Sequence, residues 1–205
     1  MKKRVFFQII FLVFFSFAFA KKSDIQFSVG MSFSDYDYAV SGYKFTGSGF
    51  SGVGFSLSNF NFFDKENHFG IFEKVSFQSG EKLGLEFLIG SGFGVKVNEF
   101  LRIQAAPFFR FGLEFENDQN LSEKYRKSFK TSSYADECKF SFGTGTTVYF
   151  ILFQNCKFSP LFGADFSFNF LCRDFISVDN SSYYLDYKNY SALNFQPFLG
   201  ILYNF

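Results

Sequence analysis

Tryptophan is absent from this chain of 205 residues, histidine occurs once and cysteine only three times. One histidine, His68, with Cys138, Cys156 and Cys172 far apart in sequence, gives no ligand set at metal spacing, so no metal or other cofactor is expected. Charge of one sign is lacking as well. Lys and Arg number 20 against 19 Asp and Glu, a net of +1, and no basic patch with interleaved aromatics occurs, which leaves no case for nucleic acid. Beyond the first twenty residues no run approaches the ~18 consecutive apolar residues of a membrane-spanning helix, because Gly or polar residues interrupt each one. The glycine-rich stretch Gly90-Ser91-Gly92-Phe93-Gly94 lacks the Lys-Ser/Thr of a phosphate loop and keeps a strand's alternation throughout.

What is present is phenylalanine, 39 residues of it, in an aromatic content of 24%. The chain opens on Lys2, Lys3 and Arg4, an apolar run from Val5 to Phe17, and the small-x-small triplet Ala18-Phe19-Ala20. Residues 1–20 therefore read as an export signal, with a membrane anchor as the alternative; residues 21–205 form one domain.

That domain is built of alternating segments. Asp24 to Phe33 puts Ile25, Phe27, Val29, Met31 and Phe33 on one side, and Gly52 to Ser58 answers with Val53, Phe55 and Leu57. A third segment carries Phe69, Ile71, Val75 and Phe77, with Glu73 breaking its apolar side, so a bulge, an interface position or a partner is expected there. Leu83 to Val97 and Leu101 to Phe115 make the clearest pair, joined at Asn98-Glu99. Cys138 to Leu152, Phe162 to Cys172 and Ser191 to Phe205 complete eight strands. Three connections read as long polar loops, Ser34–Gly49, Asn117–Glu137 and Arg173–Asn189. Turns are expected at Asn59–Asn67, Ser79–Lys82 and Gln154–Pro160.

The last segment is the most regular, with Leu193, Phe195, Pro197, Leu199, Ile201, Tyr203 and Phe205 on one face up to a terminal aromatic. A chain that opens with an export signal and stops on such a strand resembles the small outer-membrane β-barrels of double-membraned bacteria, of the OmpA, OmpX and OmpW kind. The resemblance implies an all-β fold, a closed antiparallel eight-stranded transmembrane barrel with three long extracellular loops, a single barrel domain over residues 21–205, and an outer-membrane location. It further implies that Phe195, Leu199, Ile201, Tyr203 and Phe205 belong to the closing-strand signal read by the barrel-assembly machinery. The partners expected are outer-membrane lipid and an extracellular ligand taken by the loops, with the chain acting as a monomer.

The side facing the lumen is rich in Gly and Ser, leaving room for the large groups Phe72, Phe108, Tyr149 and Phe198. It also carries the charges Lys74, Glu86, Arg102, Arg110, Glu114, Lys139 and Asp165, which survive only if paired or wet. Folding the fourth and fifth strands about their turn brings Glu86 opposite Arg110 or Gly112. Folding the sixth and seventh about theirs brings Cys138 near Cys172, either as a cross-strand disulfide or as two thiols, and leaves Cys156 in the turn. If the charges pair, the lumen is filled and the protein is an anchor with a structural or surface-interaction role through its loops. If they line a wet path, it is a narrow channel of the OmpW kind; so few strands favour filling. The lipid enzymes of this fold need a histidine near the outer rim, and His68 falls at the opposite end, so no enzyme activity is expected.

Overall fold

The computed structural model describes residues 22–40, 43–64, 68–80, 83–116, 136–178, 181–186 and 188–204. The segment 1–20, residues 117–135 of the second loop and Phe205 lie outside this set. The elements are β1 (Lys22–Val40), β2 (Tyr43–Phe62), β3 (Phe69–Gly80), β4 (Leu83–Lys96), β5 (Leu101–Glu116), β6 (Asp136–Leu152), β7 (Phe158–Val178), β8 (Ser181–Asp186) and β9 (Lys188–Asn204). Neighbours pair antiparallel in the order β6-β5-β4-β3-β2-β1-β9-β7, and β7 returns to β6. The sheet is therefore a closed barrel. β8 pairs with the far end of β7 and continues the closing strand, so the ring has eight staves.

Alternation decides which side each residue faces. Phe27 lies beside Leu57, Phe55 beside Phe77 and Val29 beside Leu199, all on the outside. Leu199, at 71% exposed, and Phe109, at 57%, show how fully this apolar surface is presented. Gln26, Ser28, Ser56, Ser58 and Ser76 on the same strands are buried in the lumen. One surface is greasy and the other small or polar, so a slip of one residue in any pairing would exchange them.

Short turns around residues 97–100 and 153–157 lie at the end of the barrel where β2 stops at Phe62 and β3 starts at Phe69; this is the turn end, and the opposite one the loop end. At the turn end aromatic side chains group on the outside, Phe69 against Phe63 and Phe93, Phe100 against Phe153, and Phe158 against Tyr203.

Several expectations need correction. The stretch Ser34–Gly49 is not an irregular loop. β1 and β2 stay paired through it, from Ser34 opposite Gly49 to Val40 opposite Tyr43, with a bulge beside Phe33. Where both faces leave the apolar surroundings the period-two hydrophobic signal disappears, yet Tyr, Thr and Phe still favour extended backbone. For the same reason Arg173 to Val178 is strand, paired with Ser181 to Asp186. The turn placed at Asn59–Asn67 begins later, because β2 runs on to Phe62.

Cys138 and Cys172 are not bonded. Cys138 stands opposite Phe175, while Cys172 stands opposite Ser141, three positions away along the hairpin. Phe170 is the extra residue of a bulge opposite Phe142 and Gly143, so that Phe170 and Leu171 both point outward and the parity of β7 reverses beyond them. Cys172 is thereby turned into the lumen, 1% exposed, on the face opposite to Cys138. All three cysteines are thiols.

Candidate functional site: a stapled lumen beneath an open cup

Eight staves leave a lumen only as wide as the side chains that fill it. Strands four apart in the ring face each other across it, and polar side chains bridge three such diameters: β1 to β5, β2 to β6 and β3 to β7. Nearest the turn end, Gln26 on β1 donates its amide to Gln104 on β5 at 2.5 Å, and Gln104 donates on to Asp24 at 2.7 Å. Arg102, one turn-end step along β5, closes an ion pair with the same Asp24 carboxylate. Ser58 on β2 donates to Gln26 at 3.1 Å and receives the Tyr149 hydroxyl of β6 at 3.1 Å. One line of hydrogen bonds thus runs from Tyr149 through Ser58, Gln26 and Gln104 to Asp24.

The middle of the lumen is aromatic. Phe60 packs on Phe72 with ring centroids 4.9 Å apart and edge-on to Tyr149 at 5.5 Å; Tyr149 in turn meets Phe198 at 4.8 Å. Through this cluster Lys74 on β3 reaches Asp165 on β7, Nζ to Oδ2 2.5 Å, with its ammonium 4.6 Å from the Phe198 ring. An ion pair so placed has exchanged water for a carboxylate and a ring face.

Above the aromatic layer Arg110 pairs with Glu86, which also accepts from Gln78 at 3.0 Å. The register puts Glu86 opposite Gly112 and Arg110 opposite Leu88, so the pair meets on the diagonal. A hole of about 10 Å³ lies beside it, lined in part by Phe108, Asp165 and Gln196. Toward the loop end the lumen opens into a cup of about 370 Å³ whose wall carries Glu114 and Lys139, 4.0 Å apart, with Tyr36, Tyr190 and Asn194.

The sequence-predicted lumen residues accordingly fall into groups: Lys74 with Asp165, Glu86 with Arg110, Glu114 with Lys139, and Arg102 with an acid that sequence reasoning passed over. Asp24 was on the polar side of its strand, in step with Gln26, and that parity was the signal. Phe60 and Phe62 were also missed, hidden in a stretch read as turn.

Elsewhere, Glu73 on the outer face accepts from Asn61 at 3.4 Å, and Asn61 accepts from Ser23 at 2.7 Å, near the turn end. His68 sits exposed at the β2–β3 turn with Nδ1 3.2 Å from the Asp64 carboxylate. Among the described residues no group of three or more His, Cys, Asp or Glu could hold a metal ion. On the closing strand Phe195, Leu199 and Ile201 face outward, and Tyr203 meets Phe158.

No protein-family model matches the chain, and no curated protein sequence does. Among solved structures it is similar to Neisserial surface protein A, at 11% identity and a TM-score of 0.43, over 87% of this chain and 97% of that one. It is also similar to Ail of Yersinia pestis, crystallised with the heparin analogue sucrose octasulfate, at 13% identity and a TM-score of 0.40, over 88% and 99%. A third is the outer-membrane protease OmpT of Escherichia coli, at 8% identity and a TM-score of 0.43, over 91% and 97%.

Proposed function

We propose that this chain is an integral outer-membrane protein whose barrel is a blind anchor and whose loop end works at the cell surface. Its apolar outer face supports a lipid setting, since hydrocarbon offers nothing to a strand edge and only a sheet without edges can lie in it. Strands of up to 21 residues exceed the roughly 9–11 needed to cross a bilayer, and the surplus carries β1, β2, β7 and β8 outward at the loop end. In this reading residues 1–20 direct export, and the closing strand with Phe205 is handled by the assembly machinery.

The observation that carries the blind anchor is the filled lumen. Three strand diameters are bridged by side-chain hydrogen bonds, and a buried aromatic cluster of Phe60, Phe72, Tyr149 and Phe198 fills the space between them. Recording from the refolded protein in planar bilayers tests it. No steady conductance is expected from the natural chain, and steps are expected after Lys74→Ser with Asp165→Ser. Steady conductance of the natural chain, lost on changing Glu86 or Arg110, would instead make it a narrow channel.

A further inference from the structure

The cup at the loop end is lined by groups whose hydrogen-bonding needs the barrel does not meet. Arg110, 6% exposed, has a buried Nη1 with no acceptor, and Asn169, 2% exposed, has a buried Oδ1 with no donor. Asn194 uses its oxygen to accept from Ser34 at 2.8 Å, but its buried Nδ2 donates to nothing. Such groups cost free energy unless something supplies their partners. All three residues line the cup, where a hydroxyl group can act as donor and acceptor from a single atom.

The charge of the cup narrows the class. Glu86 and Glu114 line the same space as Arg110 and Lys139. A carboxylate or sulfate drawn to the cations would meet two carboxylates, and an ammonium drawn to the acids would meet two cations. Neutral hydroxyls can donate to the acids and accept from the cations without that conflict. Tyr36 and Tyr190 add ring surface to the wall. The volume, about 370 Å³, lies at the small end of ligand pockets, and the aromatic layer below closes the floor.

We propose that the cup binds an uncharged, hydroxyl-rich small molecule, a neutral sugar ring free in solution or at the end of a glycan. This rests on the reading of a blind barrel with its loop end outward. Binding is measured on detergent-refolded protein, so it can fail while the conductance result stands.

The test is saturation-transfer NMR and calorimetry with four neutral methyl glycosides (gluco, galacto, manno and xylo), and with glucuronate and glucosamine as charged analogues. At least one neutral glycoside is expected to bind, and more tightly than either analogue. Competition by dextran or mannan would assign the site to glycan ends, and its absence to free sugars; both support the proposal. Tightest binding of glucuronate or glucosamine, or no binding by any glycoside, overturns it. Gly84→Phe checks the location. A side chain there projects into the cup, and its Cβ would meet nothing nearer than Gln78 Cβ at 3.5 Å. It is expected to weaken binding about tenfold or more, equivalent to about 1.4 kcal/mol. Should Gly84→Phe lose the heat-dependent gel shift of a folded barrel, Asn194→Leu takes its place with the same expected loss. Unchanged binding in the folded variant removes the site from the cup.

Discussion

Lys74 and Asp165 hold one another across the full width of the barrel, Nζ to Oδ2 2.5 Å, from strands that lie four apart in the ring. Their side chains are essentially sealed from solvent, at 0% and 8% exposed. Removing one partner strands a buried charge, at a cost of about 3–5 kcal/mol, whereas replacing both by apolar groups is close to neutral. Lys74→Met is therefore expected to lower the urea midpoint of the refolded protein sharply, and Lys74→Met with Asp165→Leu to recover most of it. A double variant no better than the single one would mean that the pair is not coupled.

Two glycines on β4 differ in what a methyl group would meet. At Gly90 a Cβ would stand 1.9 Å from the Pro107 carbonyl oxygen of β5, a backbone atom that can yield only by moving the strand; at Gly84 the nearest neighbour is a flexible glutamine side chain at 3.5 Å. Gly90→Ala should lower stability by roughly 2 kcal/mol, and Gly84→Ala should change it by less than about 0.5 kcal/mol. Equal effects in denaturant titrations would contradict the close approach of β4 and β5 at Gly90.

The thiols give a direct check on register. Cys156 lies exposed in the β6–β7 turn, and Cys172 is buried in the lumen. A maleimide dye is expected to label Cys156 within minutes in folded protein and Cys172 only after heating. Gel mobility should not depend on reductant. A reductant-sensitive monomer band, with Cys138 and Cys172 recovered in one crosslinked peptide, would show that the Phe170 bulge is misplaced.

Asp64 organises the β2–β3 turn by accepting from the His68 N–H at 2.9 Å and 3.0 Å and from the Phe69 N–H at 3.2 Å. These bonds, the His68 one first, hold its carboxyl below the usual range. A carboxylate with a depressed value stabilises the fold fully above its unfolded value, about 3.9, and that contribution is lost as pH falls through the depressed value. Protection of the His68 and Phe69 amides, measured relative to the intrinsic exchange rate at each pH, should hold from neutral pH down to about 4 and fall below it. Asp64→Ala should give the low protection at every pH; a variant as protected as the natural chain would remove Asp64 from the turn.

What could be read in advance, and what could not, follows from where alternation is enforced. Phe27 and Phe55 were assignable to the outside because each is flanked by small or polar residues destined for the lumen. Lys74 and Asp165 were assignable to the lumen by the same parity, but nothing local says that they meet, since only ring closure brings β3 opposite β7. Asn59, Phe60, Asn61 and Phe62 defeated the pattern: both faces of β2 are buried there, with Asn61 outward beside Glu73 and the two phenylalanines inward. In Phe168-Asn169-Phe170-Leu171 three apolar residues face outward around one polar residue, so the sequence alone does not reveal where the strand skips a beat. Beyond the apolar zone, as at Asp35-Tyr36-Asp37-Tyr38, strand pairing persists without the contrast that marks it.

The bridges across the lumen join β1 to β5, β2 to β6 and β3 to β7, and no hairpin contains both ends of any of them. A partly wound sheet therefore leaves Lys74, the Gln26 amide nitrogen and the Tyr149 hydroxyl without these cross-lumen partners. They come together when the seam between the first and last staves is sewn. The closed ring, rather than any single hairpin, is thereby what satisfies these groups.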